Sequence, residues 1–236
     1  MPPRQCGIAT DDTTMHEQLD TYLRAKAKPA ANAPEPAPRS ANPQRRDAIL
    51  DVARQVFLES GYEGASMSQI AVRLGGSKGT LYSYFDSKEA LFEALIADTC
   101  ARTREAVFDT PADLPLRESL RSIAVGYIRL IMSDYTVRMF QIIAAESQRW
   151  PALGARLYEA GPAAAAARLG THLDQRAGDA GLSIPDSLAA AQTFLTLCRG
   201  ALHLQRVLGI AAEPDDAAID SHADKAVTAF WRLYAA

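Results

Sequence analysis

At 236 residues with 48% hydrophobic content the chain can bury an ordinary core, as one large or two unequal units, which excludes a mini-protein that needs covalent staples. A formal net charge of −3 excludes a protein that coats polyanions through bulk charge, but it leaves room for a local cationic face. The three cysteines, Cys6, Cys100 and Cys198, show no CxxC spacing or disulfide density, and no run is long enough to cross a bilayer; a soluble, cytoplasmic, non-exported protein is expected.

Alanine is abundant, glycine and proline fall between apolar stretches, and few windows alternate as strands do, so the expected fold class is all-α. Residues 1–43 read as a disordered Ala/Pro-rich tail, because "KPAANAPEPAPRSANP" (Lys28–Pro43) carries five prolines among small and polar residues that cannot build a core. Upstream, Thr14 and Glu17 stand at capping-box spacing, and Met15, Leu19, Tyr22 and Leu23 share a face. That pattern predicts a transient amphipathic helix on this arm, or an arm that adds nonspecific contacts to a partner.

From Gln44 the pattern changes. Ile49, Leu50, Ala53, Val56 and Phe57 recur at helical spacing, and Gly61 follows where a left-handed residue would end the helix. Ser66 and Gln69 are placed to start a second helix through Ile70, Ala71 and Leu74. Gly75 and Gly76 stop it, with Gly75 free to take the positive φ of an abrupt turn. Ser77 caps a third helix that carries Lys78 in its first turn and turns Leu81 and Phe85 inward. Two short helices joined by a glycine turn make a helix-turn-helix.

Such a second helix suits a phosphate backbone. Its first N–H groups and positive dipole end face the anion, and Gly79 removes a side chain where the main chain would meet the groove wall. Between Ser66 and Lys88 the cations are Arg73, Lys78 and Lys88 against the single acid Asp86, so this segment is positive although the chain is not.

The stretch "GASMSQIAVRLGGSKGTLYSYFDSKEALF", with Gly61-Tyr62 before it, resembles the DNA-binding domain of the TetR family of transcriptional regulators over roughly Arg45 to Ile96. Gly76 departs from the family pattern, which prefers valine there. The resemblance implies that Lys78, Gly79, Thr80, Ser83 and Tyr84 lie on the groove-facing side of the recognition helix. It also implies that Tyr82 and Lys88 grip phosphates and that Ser68 approaches the duplex. On the residues alone, Leu81, Phe85 and Tyr62 read as core and Arg73 as a solvated cation.

A fourth helix is predicted from Ser87, carrying Leu91, Phe92, Leu95 and Ile96 inward. After the "DTPADLP" break (Asp109–Pro115), amphipathic stretches follow at about 116–132, 134–149, 152–160, 162–179, 186–209 and 214–235. Trp150-Pro151, Gly161-Pro162, the 178–185 loop and Pro214 punctuate them. This predicts a helical bundle, with a DNA-binding domain over 44–92 and a larger ligand-binding and dimerisation domain over 93–236.

The segments "MFQIIAAESQRWPALGARLYEAGP" and "TFLTLCRGALHLQRVLG" resemble the C-terminal domain of the AefR-like branch of the same family. That resemblance implies a homodimer built on the last two long helices and a pocket for a small, usually apolar effector. Phe194, Leu195, Cys198, Leu202, Val227, Phe230 and Trp231 are interface candidates that periodicity alone cannot separate from intrachain core. Pocket candidates are Tyr127, Phe140, Ile143, Tyr158, Phe194 and His203, with Arg138 and Glu146 as polar fixers.

No cofactor or metal is expected, since His172 and His203 lack ligand-spaced partners, and buried inert thiols are expected at Cys100 and Cys198. No nucleophile elbow, P-loop, HExxH or glycine fingerprint occurs, so an enzyme is not expected. The expected function is a dimeric repressor that binds palindromic operator DNA and is released by a small molecule. The alternative is a helical enzyme or small-molecule carrier with a vestigial DNA module.

Overall fold

A computed structural model describes residues 42–111 and 113–235; the helix predicted within the N-terminal tail lies outside the described residues. Helix α1 runs Pro43–Gly64, with Pro43 preset for the first turn and the Asn42 side chain accepting from the Gln44 N–H at 3.0 Å. Gly61 takes φ 68° where the sequence placed the helix end, and the chain bends there before one further turn.

Helix α2 spans Met67–Arg73 behind a capping box. The Ser66 N–H donates to Gln69 Oε1 at 2.8 Å, and the Gln69 N–H donates to Ser66 Oγ at 3.2 Å. Gly75 takes the positive φ of 68° that the turn requires. Helix α3, Lys78–Tyr82, starts at Ser77, whose hydroxyl accepts from the Thr80 N–H at 3.1 Å. Helix α4, Lys88–Phe108, starts at Ser87 in the same way.

The remaining helices are α5 (Leu116–Met132), α6 (Asp134–Glu146), α7 (Pro151–Tyr158), α8 (Ala164–Arg176), α9 (Ser187–Val207) and α10 (Asp216–Tyr234). No strand occurs among the described residues beyond one bridge between Leu182 and Ala235. None of the helices described is long and apolar enough to cross a membrane.

One expected break is absent. Gly161-Pro162 does not separate α7 from α8, because a π-helical turn over Glu159–Ala163 carries the chain through the proline. The wider turn takes up a residue that lacks an N–H and crowds the preceding carbonyls. The turn is held to α4 where the Ala160 carbonyl accepts from an Arg104 N–H at 2.9 Å, and a Cβ on Gly161 would stand 3.6 Å from Cys100 Sγ.

Two apolar clusters hold the molecule. One packs α1–α3 and the first half of α4 (Ile49, Phe57, Ile70, Leu81, Phe92, Leu95) together with Met139 and Ile143 of α6 and Leu153 of α7. The other joins the far end of α4 (Val107, Phe108) to α5, α8, α9 and α10. The boundary expected between residues 92 and 93 therefore falls inside a continuous helix.

Phe194, Leu195, Cys198, Val227 and Phe230 are buried in that second cluster, with Leu202 and Trp231 packed against it, so these interface candidates are intrachain core. The inward face of each long helix is consumed by its own fold. The large apolar residues left exposed on α9 and α10 are Leu188, Leu204 and Leu233.

Helix α9 is kinked at Gly200, with φ 51° and ψ −165°. The kink takes the Cys198 carbonyl out of the helical ladder, and His222 Nε2 of α10 bonds it at 3.0 Å. A Cβ on Gly200 would lie 2.9 Å from the His222 ring, and positive φ strains any L side chain. We expect Gly200→Ala to lower unfolding free energy by about 1–3 kcal/mol, measured by urea titration.

Candidate functional site

The helix-turn-helix presents a small outward surface. Lys78, Gly79 and Ser83 are exposed, Tyr82 is 47% exposed, and Ser68 and Thr80 are half-buried beside them. Tyr84 departs from the expected groove-facing set, since it packs partly against the core beside buried Leu81 and Phe85. The Thr80 hydroxyl shares a hydrogen bond with Ser77 Oγ at 3.1 Å, and Ser83 Oγ donates to the Thr80 carbonyl at 2.7 Å. Lys78, the surface of Gly79 and the Tyr82 phenol remain to meet a partner.

Gly79 has no intrachain reason to be glycine. The nearest atom to a Cβ there would be Ser77 Oγ at 3.6 Å, an ordinary contact. Gly76 differs, because a Cβ would lie 3.1 Å from an Arg45 guanidinium nitrogen, so an arginine covers the turn where the family pattern places valine. Helix α3 is only five residues long, so its summed dipole is smaller than a full helix would give, and anion attraction falls to its N–H groups and Lys78.

Lys88 has a different role from the expected phosphate grip. Its Nζ points inward and donates to the carbonyls of Tyr62 at 2.9 Å and Ala65 at 3.2 Å, and it sits 4.2 Å from the centre of the Tyr62 ring. The neighbouring Glu89 accepts from the Tyr62 hydroxyl at 3.0 Å. Backbone hydrogen bonding at the helix start holds the Glu89 carboxyl below its ordinary pKa, while burial and Glu89 push the Tyr62 phenol up. Tyr62 in turn packs on Phe57, Phe92 and Trp150, with ring centres 5.9, 5.0 and 6.1 Å away. The start of α4 is thus clamped to the end of α1.

The body holds a half-open cavity of about 180 Å³ between α4, α5, α6, α7, α8 and α9. Tyr127, Phe140, Ile143 and His203 line it as expected, Phe140 meeting the His203 ring edge-on at 5.8 Å. The other four candidates do not. Phe194 is spent in the core against Phe230, Tyr158 is 59% exposed, Arg138 faces outward, and Glu146 lies on the side nearer Tyr62.

The polar groups that do line the cavity are Thr99, Thr103 and Arg104 of α4, Tyr135 and Thr136 of α6, and Arg199 of α9. Sequence reasoning missed them, although Arg199 stands one turn before His203 as a lone cation inside an apolar run. Burial raises the Tyr127 phenol pKa, with Arg199 beside it pulling the other way. Burial pushes the Cys198 thiol up to about 12 and raises that of Cys100, so both stay protonated. No group of three or more His, Cys, Asp or Glu placed to hold a metal occurs among the described residues.

A helix-turn-helix whose core runs into a cavity-bearing helical body defines an architectural class, that of all-helical proteins with a helix-turn-helix unit on a larger helical body. Comparison with known proteins makes this specific. Residues 49–95 match the sequence profile of bacterial regulatory proteins of the TetR family, and residues 118–236 match that of the AefR-like transcriptional repressor C-terminal domain. The chain belongs to the TetR family.

Among curated relatives, the transcriptional repressor AcnR of Corynebacterium diphtheriae is 38% identical over 76 residues, 32% of this chain and 40% of AcnR. The regulator UidR of Escherichia coli is 44% identical over 66 residues, 26% of this chain and 34% of UidR. The chain therefore matches well under half the length of these relatives. Among solved structures, the flavonoid-responsive regulator FrrA is 36% identical with a TM-score of 0.67, covering 82% of this chain and 98% of FrrA. A TetR-family regulator from Mesorhizobium loti shares the fold at a TM-score of 0.75 and 23% identity, over 82% of this chain and 98% of its own.

Two expectations follow from this geometry. Lys88→Met leaves two carbonyls without their charged donor and should cost about 1–3 kcal/mol in urea unfolding. Burial with Arg199 lowers the His203 pKa below the usual 6.5, and burial with Arg176 and Arg168 does the same for His172. Both rings bind fewer protons folded than unfolded, so their stabilising contribution is complete above about pH 6.5 and is lost as pH falls through the lowered values. Tm should drop from about pH 7 to about pH 5, and the His172→Gln, His203→Gln pair should lessen that drop in thermal melts.

Proposed function

We propose that the protein is a homodimeric transcriptional repressor that binds palindromic operator DNA in the cytoplasm and is released when a small, largely apolar molecule fills the body cavity. In this reading residues 44–92 read DNA and residues 93–236 bind the effector and dimerise. The supporting observation is α4, which is clamped to the reading unit at Lys88 and lines the cavity with Ile96, Thr99, Cys100, Thr103 and Arg104 further along.

One recognition helix of five residues makes too few contacts to be selective. Two of them, held about 34 Å or a multiple apart, add their free energies across a palindrome. The exposed Leu188, Leu204 and Leu233 of the last two helices offer apolar surface to a second copy. FrrA is named for its response to flavonoids, and Phe108, Tyr127, Tyr135 and Phe140 give the cavity of this chain aromatic walls against which a small apolar body can pack. The effector acts only through a difference in affinity between the DNA-bound and released arrangements.

Lys78→Ala, Gly79→Ala and Tyr82→Phe should each weaken binding to DNA from upstream of the protein's own gene by about 1–3 kcal/mol while leaving dimer mass and Tm unchanged. Lys78→Ala should also reduce the salt dependence by about one counterion. Fluorescence anisotropy across a salt series measures both quantities, and unchanged binding by Lys78→Ala and Gly79→Ala together would refute the assigned surface.

A further inference from the structure

The cavity wall is charged in one sense. It contains the guanidinium groups of Arg104 and Arg199 and no carboxylate, while most of its remaining lining is apolar. Arg104 has used one N–H on the Ala160 carbonyl at 2.9 Å. Arg199 meets the Tyr127 phenol oxygen with its guanidinium, but its Nε is buried and has no hydrogen-bond partner. A buried guanidinium N–H without an acceptor is costly to keep, and guanidinium geometry matches a carboxylate through two parallel N–H donors.

The neighbours of Arg199 favour the same complement. The Tyr127 phenol lies beside it and keeps its proton, since burial raises its pKa, so it offers a second donor. His203, one turn further along α9, is held neutral by burial and by Arg199 and adds no charge of its own. Gly200 breaks the helix directly after Arg199, so this cation stands where α9 changes direction.

Size limits the rest of the molecule. A void of about 150 Å³ admits benzene. A cavity of about 180 Å³, walled by Ile96, Val107, Phe108, Ile131, Met139 and Ile143, therefore fits one ring with a short arm or a short alkyl chain.

We propose that the cavity takes a monoanion, a carboxylate on a compact apolar body, with the carboxylate paired to Arg199 and hydrogen-bonded by Tyr127. This names the ligand class of the effector site and rests on the reading of the cavity as that site.

Isothermal titration calorimetry on the full chain tests it with matched probes, 3-phenylpropionate against 3-phenylpropanol and octanoate against octanol. In at least one pair the acid should bind about tenfold or more tightly than its alcohol. Arg199→Met should abolish that preference, and Arg199→Lys, which keeps the charge but loses the fork, should retain part of it. Alcohols binding as tightly as acids, no acid binding at millimolar concentration, or undiminished acid binding by Arg199→Met would each overturn the proposal.

A melting curve reports whether Arg199→Met folds. If it does not, Arg199→Lys and the acid-against-alcohol comparison in the unaltered chain decide the matter. DNA release is scored in parallel. An alcohol that binds as well as its acid and releases DNA overturns the anion assignment and leaves the effector reading standing. Arg199-dependent acid binding without DNA release does the reverse.

Discussion

The burial of α4 in two cores at once is the constraint on which the rest of the molecule depends. Leu91, Phe92, Leu95 and Ile96 belong to the cluster that holds the helix-turn-helix, and Val107 and Phe108 belong to the cluster that holds the body. At 1.5 Å per residue its 21 residues make a rod about 31 Å long. Moving either end without the other means either breaking packing at native density or bending a helix that contains neither proline nor glycine. The second half of this rod, from Ile96 to Phe108, is also part of the cavity wall, so one helix borders both the cavity and the helix-turn-helix.

The clamp at the near end fixes this rod to the end of α1. Lys88 and Glu89 tie the first turn of α4 to Tyr62 through hydrogen bonds and a cation–π contact, and Tyr62 packs on Trp150 at the start of α7. Exposed ion pairs such as Arg149 with Glu63 and Arg73 with Glu59 surround this joint, but solvent screens them and they contribute little each. The partly buried charge, the aromatic stack and the shared apolar core carry the coupling. At the end of α9, Arg206 does similar work: it is buried and bonds the carbonyls of Met132 and Ala211, each at 3.0 Å.

Much of the architecture was legible because it is written in local rules. Ser66, Ser77 and Ser87 cap helices where the sequence places helix starts, accepting from the N–H groups of Gln69, Thr80 and Ala90, and Gly61 and Gly75 take positive φ where the apolar pattern stops. Helix α5 occupies 116–132, as the periodicity predicted. The misses have a common origin. Pro162 was read as a break because a local rule forbids it inside an α-helix, and a π-helical turn against α4 accommodates it. The resemblance implies a phosphate grip for Lys88, but Lys88 bonds the Tyr62 carbonyl, 26 residues away in sequence, and that approach is a tertiary event.

By itself the sequence determined the helical class, the order of the helices and the helix-turn-helix with its exposed Lys78 and Gly79. Caps, glycine turns and 3.6-residue periodicity act over a few neighbouring residues. Only the tertiary structure decided that Arg104 and Arg199 line a cavity while Arg138, Glu146, Tyr158 and Phe194 do not. Periodicity marks a face as inward, but what that face meets depends on how helices distant in sequence cross. Whether an inward residue finds a packed neighbour, as Phe194 finds Phe230, or an open space, as Arg199 does, depends on that crossing.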